Sequence, residues 1–178
     1  CVRNVWEEPL EDMSAATFER VLEGLQGLPE LREVVFGGYG EPFGHPRILD
    51  YLAAIKDLGV KISVSTNGIL LSEERARALV ELGVDGVNVS LDGTDPETYA
   101  DVRRGARLET VMENVETLNR VKADCGTPFP RLGIEFVALK ENETQIAELP
   151  EAARELGANR ELVSHVLPHT LEMAEEAL

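Results

Sequence analysis

Four short stretches of this chain gather carboxylates, hydroxyls, amides and glycines in patterns suited to holding a polar ligand. The first is Gly37-Gly38-Tyr39-Gly40-Glu41-Pro42, which directly follows the apolar run Val34-Val35-Phe36. Its glycines let the backbone turn sharply and let a ligand approach the main chain. Pro42 fixes the exit direction. Glu41 places a carboxylate at the mouth of that turn, where it could hold a cation or an ammonium group. An ordinary strand-to-helix turn also fits these residues. The second stretch is Ser65-Thr66-Asn67-Gly68, the third Ser90-Leu91-Asp92-Gly93, and the fourth runs from Val166 to His169. Each offers hydroxyls, amides or turn formers where an apolar run stops.

These stretches need elements to position them, and the pattern supplies them. Ser14 is a good N-cap, and Phe18, Val21, Leu22 and Leu25 recur at helical spacing behind it. Strands are predicted over 31–37, 61–66, 86–91, 132–139 and 162–167. Between them the sequence predicts helices: one from Pro46 carrying Ile48, Leu49, Leu52 and Ile55, and one capped by Ser72 and ending before Gly83. A short helix follows Asp95-Pro96 and runs to about Arg103. A longer one carries Leu108, Val111, Met112, Val115 and Leu118, and another runs from about Pro150 to Gly157. A last helical fragment is predicted over 170–177. Five strand–helix alternations imply a parallel sheet with helices outside it. In such sheets and barrels ligands bind at the edge where the strands end, and all four stretches fall there.

The totals narrow the function classes. At 178 residues, with 43% hydrophobic and 28% charged residues, the chain suits one globular domain. The net charge of −16 argues against nucleic acid and against anionic membrane surfaces. No apolar run reaches the roughly 20 residues of a membrane helix, and the opening residues do not read as a secretory signal. Only two cysteines occur, Cys1 and Cys125. That is too few for a disulfide framework and suggests a reducing compartment, so a cytoplasmic location is expected. His45 reads as part of a helix entry. His165 and His169 lack metal-site spacing. Cys125, beside Gly126 and Pro128, reads as a loop thiol.

Taken together, the motifs make the chain resemble the radical S-adenosylmethionine (radical SAM) enzymes over nearly its whole length. Gly37-Gly38-Tyr39-Gly40-Glu41-Pro42 looks like the family's GGEP motif with an insertion. Ser65-Thr66-Asn67-Gly68 looks like the end of the family's third strand. Val89-Ser90-Leu91-Asp92-Gly93, with Tyr99 and Val102-Arg103-Arg104-Gly105, looks like its fourth strand and the helix after it. The family's CxxxCxxC motif is not present, and Cys1 stands where its third cysteine would be. The expectation is therefore a radical SAM core domain over 1–178 that begins inside the cluster loop, lacks the first strand and is cut near its end. The fold class implied is α/β, a partial parallel (β/α)6-type, TIM-like barrel. Losing a strand would leave the next strand's edge unpaired, a liability that association or the N-terminal segment would have to shelter.

The resemblance implies a [4Fe–4S] cluster and S-adenosyl-L-methionine as cofactors, and a 5′-deoxyadenosyl radical that modifies a peptide or cofactor substrate. Cys1 would be the metal ligand. Gly38, Gly40 and Glu41 would receive the methionine amino group, by backbone carbonyls or the carboxylate. Ser65, Asn67 and Ser90 would bond its carboxylate or the ribose. Arg103 would answer the carboxylate, with Arg104 as its rival. Main-chain groups at 137–139 and at Val166 would cradle the adenine. Asp92 reads as a turn former. No residue is assigned as catalytic, because the cofactor carries the radical chemistry. Implied partners are a reductant such as ferredoxin or flavodoxin and the substrate, with no nucleic acid and no membrane. Trp6-Glu7-Glu8-Pro9 and the residues from Val163 to Thr170 look similar to maturases linked to tungsten-cofactor oxidoreductases. Two other readings stay open: an aldolase-type (β/α) barrel enzyme, and a non-catalytic barrel module. The first needs a lysine or paired acids at strand ends, and Lys61 sits at a strand start.

Overall fold

A computed structural model of the chain describes residues 11–103, 105–165 and 171. Five parallel strands form one sheet in chain order. They are β1 (Glu33–Phe36), β2 (Lys61–Thr66), β3 (Gly86–Ser90), β4 (Arg131–Ala138) and β5 (Arg160–His165). Helix α1 (Ala15–Gln26) precedes β1, α2 (Ile48–Lys56) joins β1 to β2, and α3 (Glu73–Glu81) joins β2 to β3. Helices α4 (Pro96–Val102) and α5 (Leu108–Asp124) join β3 to β4, and α6 (Leu149–Glu155) joins β4 to β5. The fold is thus the expected α/β parallel arrangement.

Local chemistry explains the boundaries. The hydroxyl of Ser14 accepts from Thr17 N, that of Ser72 from Arg75 N, and the carboxylate of Asp95 from Glu97 N and Thr98 N. Each bond satisfies a helical N–H that has no partner inside its own helix. The helix expected from Pro46 starts two residues later, at Ile48, with Arg47 as its cap residue. Val21, expected on the core stripe of α1, is 42% exposed, whereas Phe18 is buried and its ring stacks on Tyr51 of α2 at 3.8 Å. The last strand starts at Arg160, two residues earlier than the spacing suggested, and is described as far as His165.

Side chains alternate between the two faces of each strand. One set, including Ile62, Val64, Val87, Val89, Leu132, Ile134 and Phe136, is buried with Leu52, Ile55, Leu79, Val115 and Leu118 of the helices. This is the core, and each buried aliphatic or aromatic side chain contributes ~1.5–3 kcal/mol. The alternate set forms a polar face. Its members bond across strands: Ser63 Oγ donates to Glu33 Oε1 at 2.6 Å, Ser65 Oγ to Glu135 Oε1 at 3.2 Å, and Arg160 Nη2 to Asn88 Oδ1 at 2.7 Å. Among the described residues, β1 and β5 each pair with one neighbour, so both outer edges are open.

Candidate functional site

The C-terminal ends of β1–β4 are tied into one continuous rim. It starts at the glycine turn. Gly38 has φ +113°, a conformation that glycine adopts freely, and no atom lies within 4 Å of where a Cβ would be. The turn is therefore open above its main chain. Gly40 lies in the same bend and is exposed.

Glu41 fixes that turn to β2. Its Oε1 accepts from Thr66 Oγ1 at 2.7 Å and from Phe43 N at 3.1 Å, and its Oε2 accepts from Asn67 N at 2.8 Å. Three of roughly four acceptor positions on the carboxylate are thus used by the chain itself. What the turn presents outward is the backbone of Gly38 and Gly40 beside the exposed side chain of Tyr39. Asn67 uses Oδ1 to accept from Ile69 N at 2.9 Å. Gly68, at φ +76°, packs so closely on Val111 and Val89 that a Cβ would come within 3.0 Å of both. Asn114 of α5 closes the turn by donating to the carbonyls of Gly68 and Ile69.

The rim continues through Glu135. Ser65 donates to its carboxylate, Ser90 stands opposite it in the β3–β4 register, and Leu91 N donates to its backbone oxygen at 2.8 Å. The hydroxyl of Ser90 is half-buried and has no hydrogen-bond partner among the described residues.

Arg103 and Asp92 form the far side. Arg103 donates to Asp92 Oδ2 from Nε at 2.8 Å and from Nη2 at 2.7 Å. Asp92 Oδ1 accepts from Val137 N at 2.9 Å. Asp92 is only 5% exposed, so this ion pair holds the β3 loop, α4 and the end of β4 together. Tyr99 packs beside the pair, and burial pushes its hydroxyl pKa upward. Fully buried Asn142 completes the joint: its Nδ2 donates to the carbonyls of Asp92 and Val137, and its Oδ1 accepts from Leu139 N at 2.7 Å. Gln145 bonds Thr94 N, Thr98 Oγ1 and the Asp95 carboxylate, so the loops after β3 and β4 are clamped twice. The bonds that Asp95 accepts, led by that from Thr98 N, hold its carboxyl pKa below the usual range.

The structure thus brings Gly38, Gly40, Glu41, Ser65, Asn67, Ser90 and Arg103 onto one rim. Asp92 does more than form a turn. Sequence reasoning passed over Glu135, Asn142 and Gln145. A lone acid inside the run from Leu132 to Leu139 was the available signal for Glu135; nothing local marks Asn142. His45 belongs to the helix entry as read, since its Nδ1 accepts from Arg47 N and its Nε2 reaches Met13 O at 2.9 Å. Lys61 begins β2, at the opposite end of the sheet from the rim. Cys1, Arg104, Val166 and His169 lie outside the described residues. Cys125 is exposed at the end of α5, and no cluster among the described residues could hold a metal ion. No helix among them is long and apolar enough to cross a membrane.

The sequence pattern of the radical SAM superfamily matches residues 1–149. The chain belongs to that superfamily. Among its relatives is the tungsten-containing aldehyde ferredoxin oxidoreductase cofactor-modifying protein of Pyrococcus furiosus, 37% identical over 99% of this chain and 49% of that protein. The PqqA peptide cyclase of Gluconobacter oxydans is 30% identical over 89% of this chain and 42% of its own length. The crystal structure of Streptococcus suis SuiB bound to S-adenosylmethionine superposes with a TM-score of 0.74 at 20% identity, covering 97% of this chain and 38% of that one. The radical SAM chain described here spans about half the length of the curated relatives it matches. Members of the superfamily use a [4Fe–4S] cluster and S-adenosylmethionine. The rim fits the second of these: an open glycine turn, an unpartnered hydroxyl at Ser90 and a guanidinium at Arg103 match an amino group, hydroxyls and a carboxylate.

Proposed function

We propose that this chain is the cofactor-binding part of a radical SAM enzyme that modifies a cofactor of an oxidoreductase. The observation that carries the reading is the Glu41 clamp, which holds a glycine turn open at the strand ends by three bonds to its own chain. The carbonyls around Gly38 and Gly40 would receive the methionine amino group of S-adenosylmethionine. Ser90, Ser65 and Asn67 would bond its carboxylate or ribose. Arg103, fixed in direction by Asp92, would answer the carboxylate with its remaining N–H groups. Backbone at 137–139 and at Val166 would hold the adenine, and Cys1 would bind cluster iron. When bound, the cluster and cofactor supply an electron and a 5′-deoxyadenosyl radical. The protein orients the pair and keeps the polar face of the sheet ready for substrate.

Modification of a cofactor is favoured by the 37% identity to the cofactor-modifying protein over almost the whole chain. Modification of a peptide is the second reading, favoured by the similarity to PqqA peptide cyclase. A low-potential reductant such as ferredoxin or flavodoxin would supply the electron.

The test is anaerobic reconstitution with iron and sulfide of this chain joined to a complete CxxxCxxC loop, then reduction and chromatographic detection of 5′-deoxyadenosine. Product from that protein, and none after Ser90→Ala with Arg103→Ala, supports the reading. Cluster formation without any product overturns it.

A further inference from the structure

The polar face carries a second group of charges, away from the rim. Towards the strand starts it lines a cavity of about 500 Å³, within the range of small-molecule sites. Lys61, Arg131 and Arg160, at the first residues of β2, β4 and β5, all reach this cavity. Three cations converge here although the chain has 17 Lys and Arg against 33 Asp and Glu.

The two arginines are directed without being neutralised. Arg160 donates to the neutral amide of Asn88 at 2.7 Å, and the guanidinium of Arg131 lies 5.3 Å from the Phe129 ring centre. Neither arginine has an acidic ion-pair partner among the described residues. Two acids also line the cavity. Asp85 is already bound by Lys56 Nζ at 2.8 Å and Ile62 N at 2.9 Å. Glu33 accepts from Ser63 and stands opposite Lys61 in the register, and Asp85 also interacts with that lysine's charge. Arg131 and Arg160 therefore remain as two forks without an acidic partner among the described residues, one resting on an amide and one on a ring. Gly86 and Gly133 put no side chain into the space between them.

We propose that this cavity is an anion subsite that takes the phosphate-bearing end of a small-molecule substrate, with Arg131 and Arg160 as its contacts. Two planar guanidinium forks match a dianionic phosphate better than a single carboxylate. From Arg131 to Val137 on the rim β4 advances six residues, about 20 Å at ~3.3 Å each. A ligand anchored below would thus present a reacting end on the order of 10–15 Å away, one or two residues short of each terminus. The assignment deepens the reading of this face as a substrate chamber and rests on it.

The experiment is calorimetric titration of the metal-free chain with tripolyphosphate, and with citrate as a carboxylate probe of similar charge, at low and moderate salt. Tripolyphosphate should bind with an affinity that falls as salt rises. Arg131→Gln and Arg160→Gln should each weaken it about tenfold or more. Arg131→Lys should lose less, and circular dichroism should show all three folded. No binding to the folded parent chain, undiminished binding to the double Gln variant, or citrate binding as tightly would each overturn the proposal. Because neither cluster nor S-adenosylmethionine is present, a negative result leaves the radical chemistry untouched. Failure to form 5′-deoxyadenosine would equally leave this titration standing.

Discussion

Glu41 is the residue whose role the structure changes most, and its replacement separates two accounts of the glycine turn. If its carboxylate mainly holds the turn, Glu41→Gln and Glu41→Ala must destabilise the chain with no ligand present. Gln keeps an oxygen for Thr66 Oγ1 and Phe43 N but points an NH2 at Asn67 N, now 2.8 Å from Oε2. One charge-assisted bond becomes a donor–donor clash, a loss of about 2 kcal/mol. Ala removes all three acceptors. Three bonds to a charge would sum to ~4.5–9 kcal/mol, but the residue is half-buried and water can replace part of them, so about 3 kcal/mol is expected. At ~2–4 °C per kcal/mol for a chain of this size, Glu41→Ala should melt roughly 6–12 °C below the parent and Glu41→Gln roughly 4–8 °C below. The assay is thermal unfolding followed by circular dichroism, in parallel with S-adenosylmethionine titration of the protein carrying its cluster loop. If both variants melt with the parent but bind the cofactor poorly, the carboxylate acts on the ligand directly, and the positioning argument is refuted.

Asn142→Ala should cost about 3 kcal/mol in urea unfolding, since it strands two carbonyls and an N–H in a fully buried joint. An unchanged midpoint would show that water fills the gap. Arg103→Ala should reduce S-adenosylmethionine affinity roughly ten- to a hundredfold, the loss of one or two charge-assisted bonds, and unchanged affinity would place the carboxylate elsewhere on the rim. The folded-state pKa of Asp95 lies below its unfolded value of ~3.9. Its contribution is therefore complete above that value and is lost as pH falls through the folded one. Asp95→Asn should flatten the fall in stability below about pH 4, and unfolding measured from pH 6 to pH 3 would detect it; a parallel curve would remove Asp95 from the acid response.

The alternation of strands and helices, the helix starts behind Ser14, Ser72 and Asp95, and three of the four stretches at strand ends were legible in the amino-acid sequence alone. Those features are local. A Ser, or an Asp before Pro, caps whichever helix follows it, as Ser14, Ser72 and Asp95 do. An apolar run closed by Gly and Asn ends a strand regardless of its neighbours. The glycine turn, Asn67-Gly68 and Ser90 could therefore be placed at strand ends from spacing alone. Which groups meet depends on how the strands and loops assemble. That Glu41 spends its carboxylate on Thr66 and Asn67 depends on β1 lying beside β2 in one register, 25 and 26 residues apart in the chain. Asp92 reaches Val137 across 45 residues, and Asn142 reaches back to Asp92 across 50. The convergence of Arg131 and Arg160 on one cavity needs the period-2 alternation of two strands and the exact stagger between them, with Gly133 opposite Arg160. A one-residue slip would carry each arginine to the opposite face. Pairings across long loops are fixed by burial of the shared apolar face, and no neighbouring residue announces them.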